Sequence, residues 1–116
     1  MRSRITSAQF RYLVLASGSP RRRHLLGAFG LPFVVAAADV DETPRPGEPA
    51  DALARRLARD KALAVADCHP GTIVLAADTV VAVDDRLLGK PADADEARAM
   101  LRDLRARPHR VVTGLA

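Results

Sequence analysis

The residue pattern predicts an α/β fold, a mixed twisted sheet flanked by helices. Three observations predict it. Short, almost continuous apolar runs occur at 12–16, 33–37, 72–83 and 110–115 and read as buried strands. Two long stretches free of Gly and Pro, 50–66 and 93–106, lie between them and read as helices. Gly and Pro clusters separate the segments. Alternation of this kind packs helices over a sheet.

Tyr12 to Ala16 opens the order as a strand. Ser17-Gly18-Ser19-Pro20 follows, with Ser19 suited to cap a helix and Pro20 to its first position. That helix should run through Leu25 and Leu26 to about Phe29, where Gly30 suits the position just past the end. Phe33 to Ala37 is the second strand. Residues 39–49 hold three prolines and four acidic residues and form a loop. The helix at 50–66 carries the row Leu53, Leu57, Lys61, Val65, four residues apart and so on one face. The strand at 72–83 contains a single charge, Asp78. Asp84-Asp85-Arg86 reads as a hairpin turn into Leu87 and Leu88, before Gly89-Lys90-Pro91. The helix at 93–106 places Ala97, Met100, Leu101 and Leu104 on one face. Arg110 to Leu115 is the last strand. Residues 1–11 form a basic extension and 12–116 one domain.

Strands that are apolar on both faces need cover on both. Three helices are few for that task, and nothing follows the last strand before Ala116. The expectation is a truncated chain with an exposed apolar patch or unpaired edge near 110–115. A homodimer, or a further stretch of chain, would bury it.

Composition narrows the function. One cysteine, Cys68, and three scattered histidines exclude a disulfide framework and a His/Cys metal site. No run of 18 apolar residues and no signal-peptide core occurs, so a cytoplasmic protein without a membrane role is expected. The net charge is +4, but the arginines are spread along the chain and aromatics are few. That argues against a specific nucleic-acid platform and leaves a field attractive to a small polyanion.

Four places carry chemistry. The Ser17-Gly18-Ser19-Pro20 turn leads into a helix start whose free N–H groups suit an anion. Three arginines, Arg21 to Arg23, stand in that first turn, where cations are unfavourable unless a polyanion compensates them. A capped helix with solvated arginines is the plainer alternative. Asp78 interrupts an apolar strand, and a buried carboxylate needs a cation or donors. It suits a general base or a metal ligand, against an Asp that closes a strand. Lys61 and Lys90 are the only lysines. Lys61 lies on the apolar stripe of its helix and Lys90 in a turn, where a compact charge can reach a phosphate; snorkelling is the alternative for each. Asp41-Glu42 offers paired carboxylates for Mg²⁺ or Mn²⁺, or a solvated acidic loop.

Leu15-Ala16-Ser17-Gly18-Ser19-Pro20-Arg21-Arg22 resembles the N-terminal signature of the Maf-type nucleoside triphosphate pyrophosphatases. Val40-Asp41-Glu42-Thr43, Leu57-Ala58-Arg59-Asp60-Lys61-Ala62, Ala77-Asp78-Thr79-Val80-Val81, Leu88-Gly89-Lys90-Pro91 and His109-Arg110-Val111-Val112-Thr113-Gly114 follow in the family's order. The resemblance runs from about Tyr12 to the end. It implies an elongated α/β fold, Maf/inosine-triphosphatase-like, of which this chain would be the N-terminal part. It implies divalent-metal-dependent hydrolysis of a nucleoside triphosphate to the monophosphate and pyrophosphate. By resemblance, Asp78 is the proton acceptor. Ser17, Arg21, Glu42, Lys61 and Lys90 line the triphosphate and metal site, with Glu42 on the metal. Arg22 and Thr79 help select the base, and their identities are similar to those of the dTTP/UTP-preferring subgroup. A base-contacting glutamine of that subgroup lies beyond Ala116. The alternatives are an inactive phosphate-binding remnant of the same family and a basic nucleic-acid-binding protein.

Overall fold

The structure is a computed structural model that describes residues 12–84, 86–89 and 92–116. Its elements are β1 (Leu13–Leu15), α1 (Pro20–Gly27), β2 (Phe33–Val35), α2 (Ala50–Ala66), β3 (Ile73–Leu75), β4 (Ala77–Val83), β5 (Arg86–Leu88), α3 (Ala94–Ala106) and β6 (His109–Leu115). The predicted order holds, with one change: the run at 72–83 is divided into β3 and β4.

That division gives two small sheets, one parallel and one antiparallel. β3 pairs in parallel with β1, which also pairs in parallel with β2. β4 pairs antiparallel with β5 and β6. The two three-stranded sheets, β2-β1-β3 and β5-β4-β6, share the segment 73–83. Ala76 is the joint. It is fully buried and exchanges two backbone hydrogen bonds with Ala116, of 2.9 and 3.0 Å. The β4–β6 ladder therefore continues to the point where β3 turns away into the parallel sheet.

Helix α2 covers both sheets. Leu53, Ala54 and Leu57 pack with Val80 and Ala82 on the antiparallel side. Val65 and Ala62 pack with Val14 and Ala76 on the parallel side. The other face of β1, Leu13 and Leu15, packs against Leu26 of α1 and Phe33 of β2. β1 is buried throughout, as a run apolar on both faces requires.

Helix α1 ends at Gly27, two residues short of the expected Phe29, and the chain turns through Gly30 at φ +71°. The β4–β5 hairpin turns through Asp84 at φ 52°, a conformation that Asp tolerates better than most residues. Helix α3 is capped by Asp93, whose side chain accepts from the Glu96 N–H at 2.8 Å. Its apolar face is only partly covered: Ala97, Met100 and Leu104 are half-buried, no α3 residue is fully buried, and Leu101 is 65% exposed. Ion pairs tie the helix region to the hairpin instead, Arg86 to Asp103 at 2.8 Å and Arg107 to Asp84 at 3.1 Å. The expected apolar edge is present among the described residues. β6 borders its sheet, with Val111 59% and Leu115 70% exposed. No helix among the described residues is long and apolar enough to cross a membrane.

Candidate active site

The site forms where the two sheets meet under α2. Lys61 sits between the packed halves of the α2 stripe, with Leu57 before it and Val65 after it. Seated there, it faces the start of β4, where Asp78, Val80 and Ala82 alternate toward α2. Asp78 is 8% exposed. Its Oδ1 accepts from the Lys61 ammonium at 2.6 Å. The same ammonium lies 2.9 Å from Glu42 Oε1. Burial works against the charge on Lys61, but the bonds to Asp78 and Glu42 outweigh it and hold the lysine pKa above its ordinary value.

Glu42 reaches this point because the acidic loop is clamped to α2. Arg56 makes a bidentate pair with Glu48, at 2.8 and 2.9 Å, and donates to the Thr43 carbonyl at 3.0 Å. The Glu48 carboxylate also accepts from the Arg45 N–H at 3.1 Å. These hydrogen bonds, Arg56 first, lower the Glu48 pKa to about 2. Beside Glu42, Asp41 accepts from the Thr43 N–H at 3.0 Å, which fixes the local turn.

The opposite wall is the turn into α1. Ser17 is buried, and its Oγ accepts from the Ser19 N–H at 3.1 Å. Ser19 caps the helix, accepting from the Arg22 N–H at 3.3 Å. Arg22 folds back to β4. It donates to the Ala77 carbonyl at 2.9 Å and to Thr79 Oγ1 at 2.9 Å. Thr79 Oγ1 is in turn 2.9 Å from Thr113 Oγ1 on β6.

Ser17, Arg22, Glu42, Lys61, Asp78 and Thr79 all line one cleft of about 920 Å³. Residues separated by more than sixty positions in sequence thus share a single concavity, with the start of α1 at one side and a carboxylate–ammonium cluster at the other. Arg21 is exposed and does not line the cleft, because only the next side chain on α1 turns back toward β4. Lys90 lies outside the described residues.

The family profile described as "Maf-like protein" matches residues 12–116. The chain belongs to the Maf-like family. Among its relatives is a protein named dTTP/UTP pyrophosphatase from Myxococcus xanthus (strain DK1622), 61% identical over 104 residues, covering 90% of this chain and 53% of the relative. A Thermomicrobium roseum (strain ATCC 27502 / DSM 5159 / P-2) relative of the same name is 58% identical over 105 residues, covering 90% of this chain and 48% of its own. A third of that name, from Nitratidesulfovibrio vulgaris (strain Hildenborough), is 52% identical over 103 residues, with 88% and 49% covered. The chain spans about half the length of the curated relatives it matches.

Three Maf-like site features were not singled out from sequence. Thr113 and Gly114 lie in a recognised motif, but their contacts depend on the β4–β6 register, which sequence spacing does not give. The Arg56–Glu48 clamp joins a loop to a helix eight residues on, and an arginine in an Arg-rich chain gave no signal. For a metal, the donor set is the test. Glu42 and Asp78 offer hard carboxylate oxygens that converge on a cation, the Lys61 ammonium. No group of three or more His, Cys, Asp or Glu among the described residues could hold an ion by itself. Such a set fits Mg²⁺ or Mn²⁺ only in company with phosphate oxygens and water, which is the usual mode of Mg²⁺ at nucleotide sites.

Proposed function

We propose that this cleft hydrolyses nucleoside triphosphates, dTTP and UTP above all, to the nucleoside monophosphate and pyrophosphate with a divalent metal. The observation that carries the reading is the convergence of Lys61, Glu42 and Asp78 opposite the Ser17–Ser19 turn in one cleft. The names of the relatives support the substrate.

The Ser17–Ser19 turn at the N-terminus of α1 receives phosphate oxygens through the Ser17 hydroxyl and the positive end of the helix dipole; Pro20 has no N–H, and the Arg22 N–H is already held by Ser19 Oγ. Lys61 moves its ammonium to the phosphate chain, a task its long flexible stem suits. Arg21 and Lys90 are carried over from the family motifs alone as further positive charge for the same chain, Arg21 from outside the cleft lining. Asp78, released by Lys61, accepts a proton from a water molecule. The water oxygen bonds to the α phosphorus, the bond from that phosphorus to the α–β bridging oxygen breaks, and pyrophosphate leaves with the bond's electron pair. Glu42 is the metal-facing carboxylate; the bound metal would neutralise charge on the phosphate oxygens. Arg22 and Thr79, joined at 2.9 Å, face the base. Thymine and uracil present carbonyls where cytosine presents an amine, and a hydroxyl beside a guanidinium favours a carbonyl partner.

The chain is incubated with dTTP or UTP and Mg²⁺ or Mn²⁺, and the products are separated. Monophosphate and pyrophosphate in equal amounts are expected. Diphosphate with inorganic phosphate, or no turnover with either metal, would refute the reading.

A further inference from the structure

Arg56 stands on α2, five residues before Lys61, and takes no part in the chemistry proposed for the cleft. It is half-buried, and its guanidinium reaches both ends of a short stretch of loop. It donates to both carboxylate oxygens of Glu48, at 2.8 and 2.9 Å, and to the carbonyl of Thr43 at 3.0 Å. Between those two residues the chain closes a turn: the Glu48 N–H bonds to the Arg45 carbonyl at 3.0 Å, and Gly47 turns at φ +72°. Pro44 and Pro46 have no N–H, so this stretch has little with which to join a strand ladder. A side chain of the helix holds it instead. Immediately before Thr43 stands Glu42, with Lys61 among its partners. Val40, Glu42 and Pro44 line the cleft, whereas Arg56 does not.

We propose that Arg56 is a positioning residue for this reaction: through Thr43 and Glu48 it fixes the cleft wall that carries Glu42. The inference rests on the triphosphate reading of the cleft and adds a residue from outside its lining. A guanidinium suits the task, since its planar fork bonds a carboxylate with two parallel N–H groups and a further N–H remains for the carbonyl. Placement matters in such a reaction, because a shift of about 1 Å caused far from the chemistry can cost about 10²-fold in rate. Arg56 also carries charge, and a field acting on the triphosphate is the competing role. The two roles separate at Glu48. Removing the charge of Arg56 and removing that of Glu48 change the local field in opposite directions, yet both release the wall.

The test is a double-mutant cycle on the full chain with dTTP and Mn²⁺, read as kcat/KM well below the thermal midpoint. Arg56→Gln and Glu48→Gln should each lower kcat/KM by about 10-fold, the lower end of what loss of a supporting partner costs at a metal site. On a Glu42→Gln background neither should lower it by more than about 2-fold, because residues that act through Glu42 have nothing left to position. Glutamyl endopeptidase supplies a readout without turnover. It should cut the Glu42–Thr43 bond of either nucleotide-free variant at least about 10-fold faster than that of the parent, since the loop opens locally once its anchor is lost. A rise in kcat/KM in Glu48→Gln would mark a field effect. Full losses on the Glu42→Gln background would mark a general loss of structure, and unchanged cutting would show that the loop does not need its anchor. Each of these overturns the proposal. Glu48→Gln carries the cycle alone if Arg56→Gln fails to fold. A parent that releases pyrophosphate yet gives any of these results keeps the proposed function and loses only the role of Arg56; a parent that releases none loses both.

Discussion

Gly114 stands directly opposite Asp78 in the β4–β6 register, and a Cβ on it would lie 2.6 Å from the backbone C and O of Ala54 in α2. Backbone atoms of a packed helix cannot give way cheaply, so only glycine lets α2 seat on β6 here. The same seat aims Lys61, two turns further along α2, at Asp78. Gly114→Ala should destabilise the fold by about 1–3 kcal/mol, the usual range for forced overpacking. Chemical denaturation reads this directly. A midpoint equal to the parent's would show that α2 is not held at this contact.

The Arg56–Glu48 pair makes acid stability a test of the loop clamp. The Glu48 pKa is lowered from 4.5 to about 2 in the folded chain. A depressed carboxylate contributes stability that is present above its unfolded pKa and is lost as pH falls through the folded one. The contribution should therefore be complete above pH 4.5 and fade toward pH 2. Glu48→Gln should lower the thermal midpoint at neutral pH and flatten its decline over that acid window. Parallel curves for parent and variant would remove the clamp from the account.

Thr113 does not line the cleft, yet it touches Thr79, which does. With Arg22 donating to Thr79 Oγ1, a second bond from Thr113 would fill the acceptor sites of that oxygen and leave its O–H to donate. Thr113→Val should weaken the preference for UTP over CTP by about 5-fold, in line with one hydrogen bond of about 1 kcal/mol. Thr113→Ser should restore it. The ratio of kcat/KM values for the two nucleotides is the measurement, and an unchanged ratio in Thr113→Val would count against the contact.

The secondary structure was legible because its signals are local. Ser19 and Pro20 announce α1, the Gly- and Pro-free stretch at 50–66 announces α2, and apolar runs announce the strands. The stripe Leu53, Leu57, Lys61, Val65 also placed Lys61 on the inner face of α2, where the structure has it. What escaped depends on pairing between distant segments. An apolar run does not say where it will change sheets, so the joint at Ala76 was not foreseen. Amphipathic spacing in α3 gave a face but not its partner, and among the described residues that face is at most half-buried. The order of recognised motifs pointed to Ser17, Arg22, Glu42, Lys61, Asp78 and Thr79; only the fold could bring them into one cleft.

The most direct test of the central claim is Asp78→Asn, measured for both turnover and binding of dTTP. The change keeps the side-chain shape and removes the charge. As general base, Asp78 should contribute about 10²- to 10⁴-fold to the rate. Pyrophosphate release should therefore fall by that factor, while the α,β-methylene analogue of dTTP still binds. Turnover within a few-fold of the parent would contradict the assignment of Asp78 and, with it, the reading of this cleft as a catalytic centre.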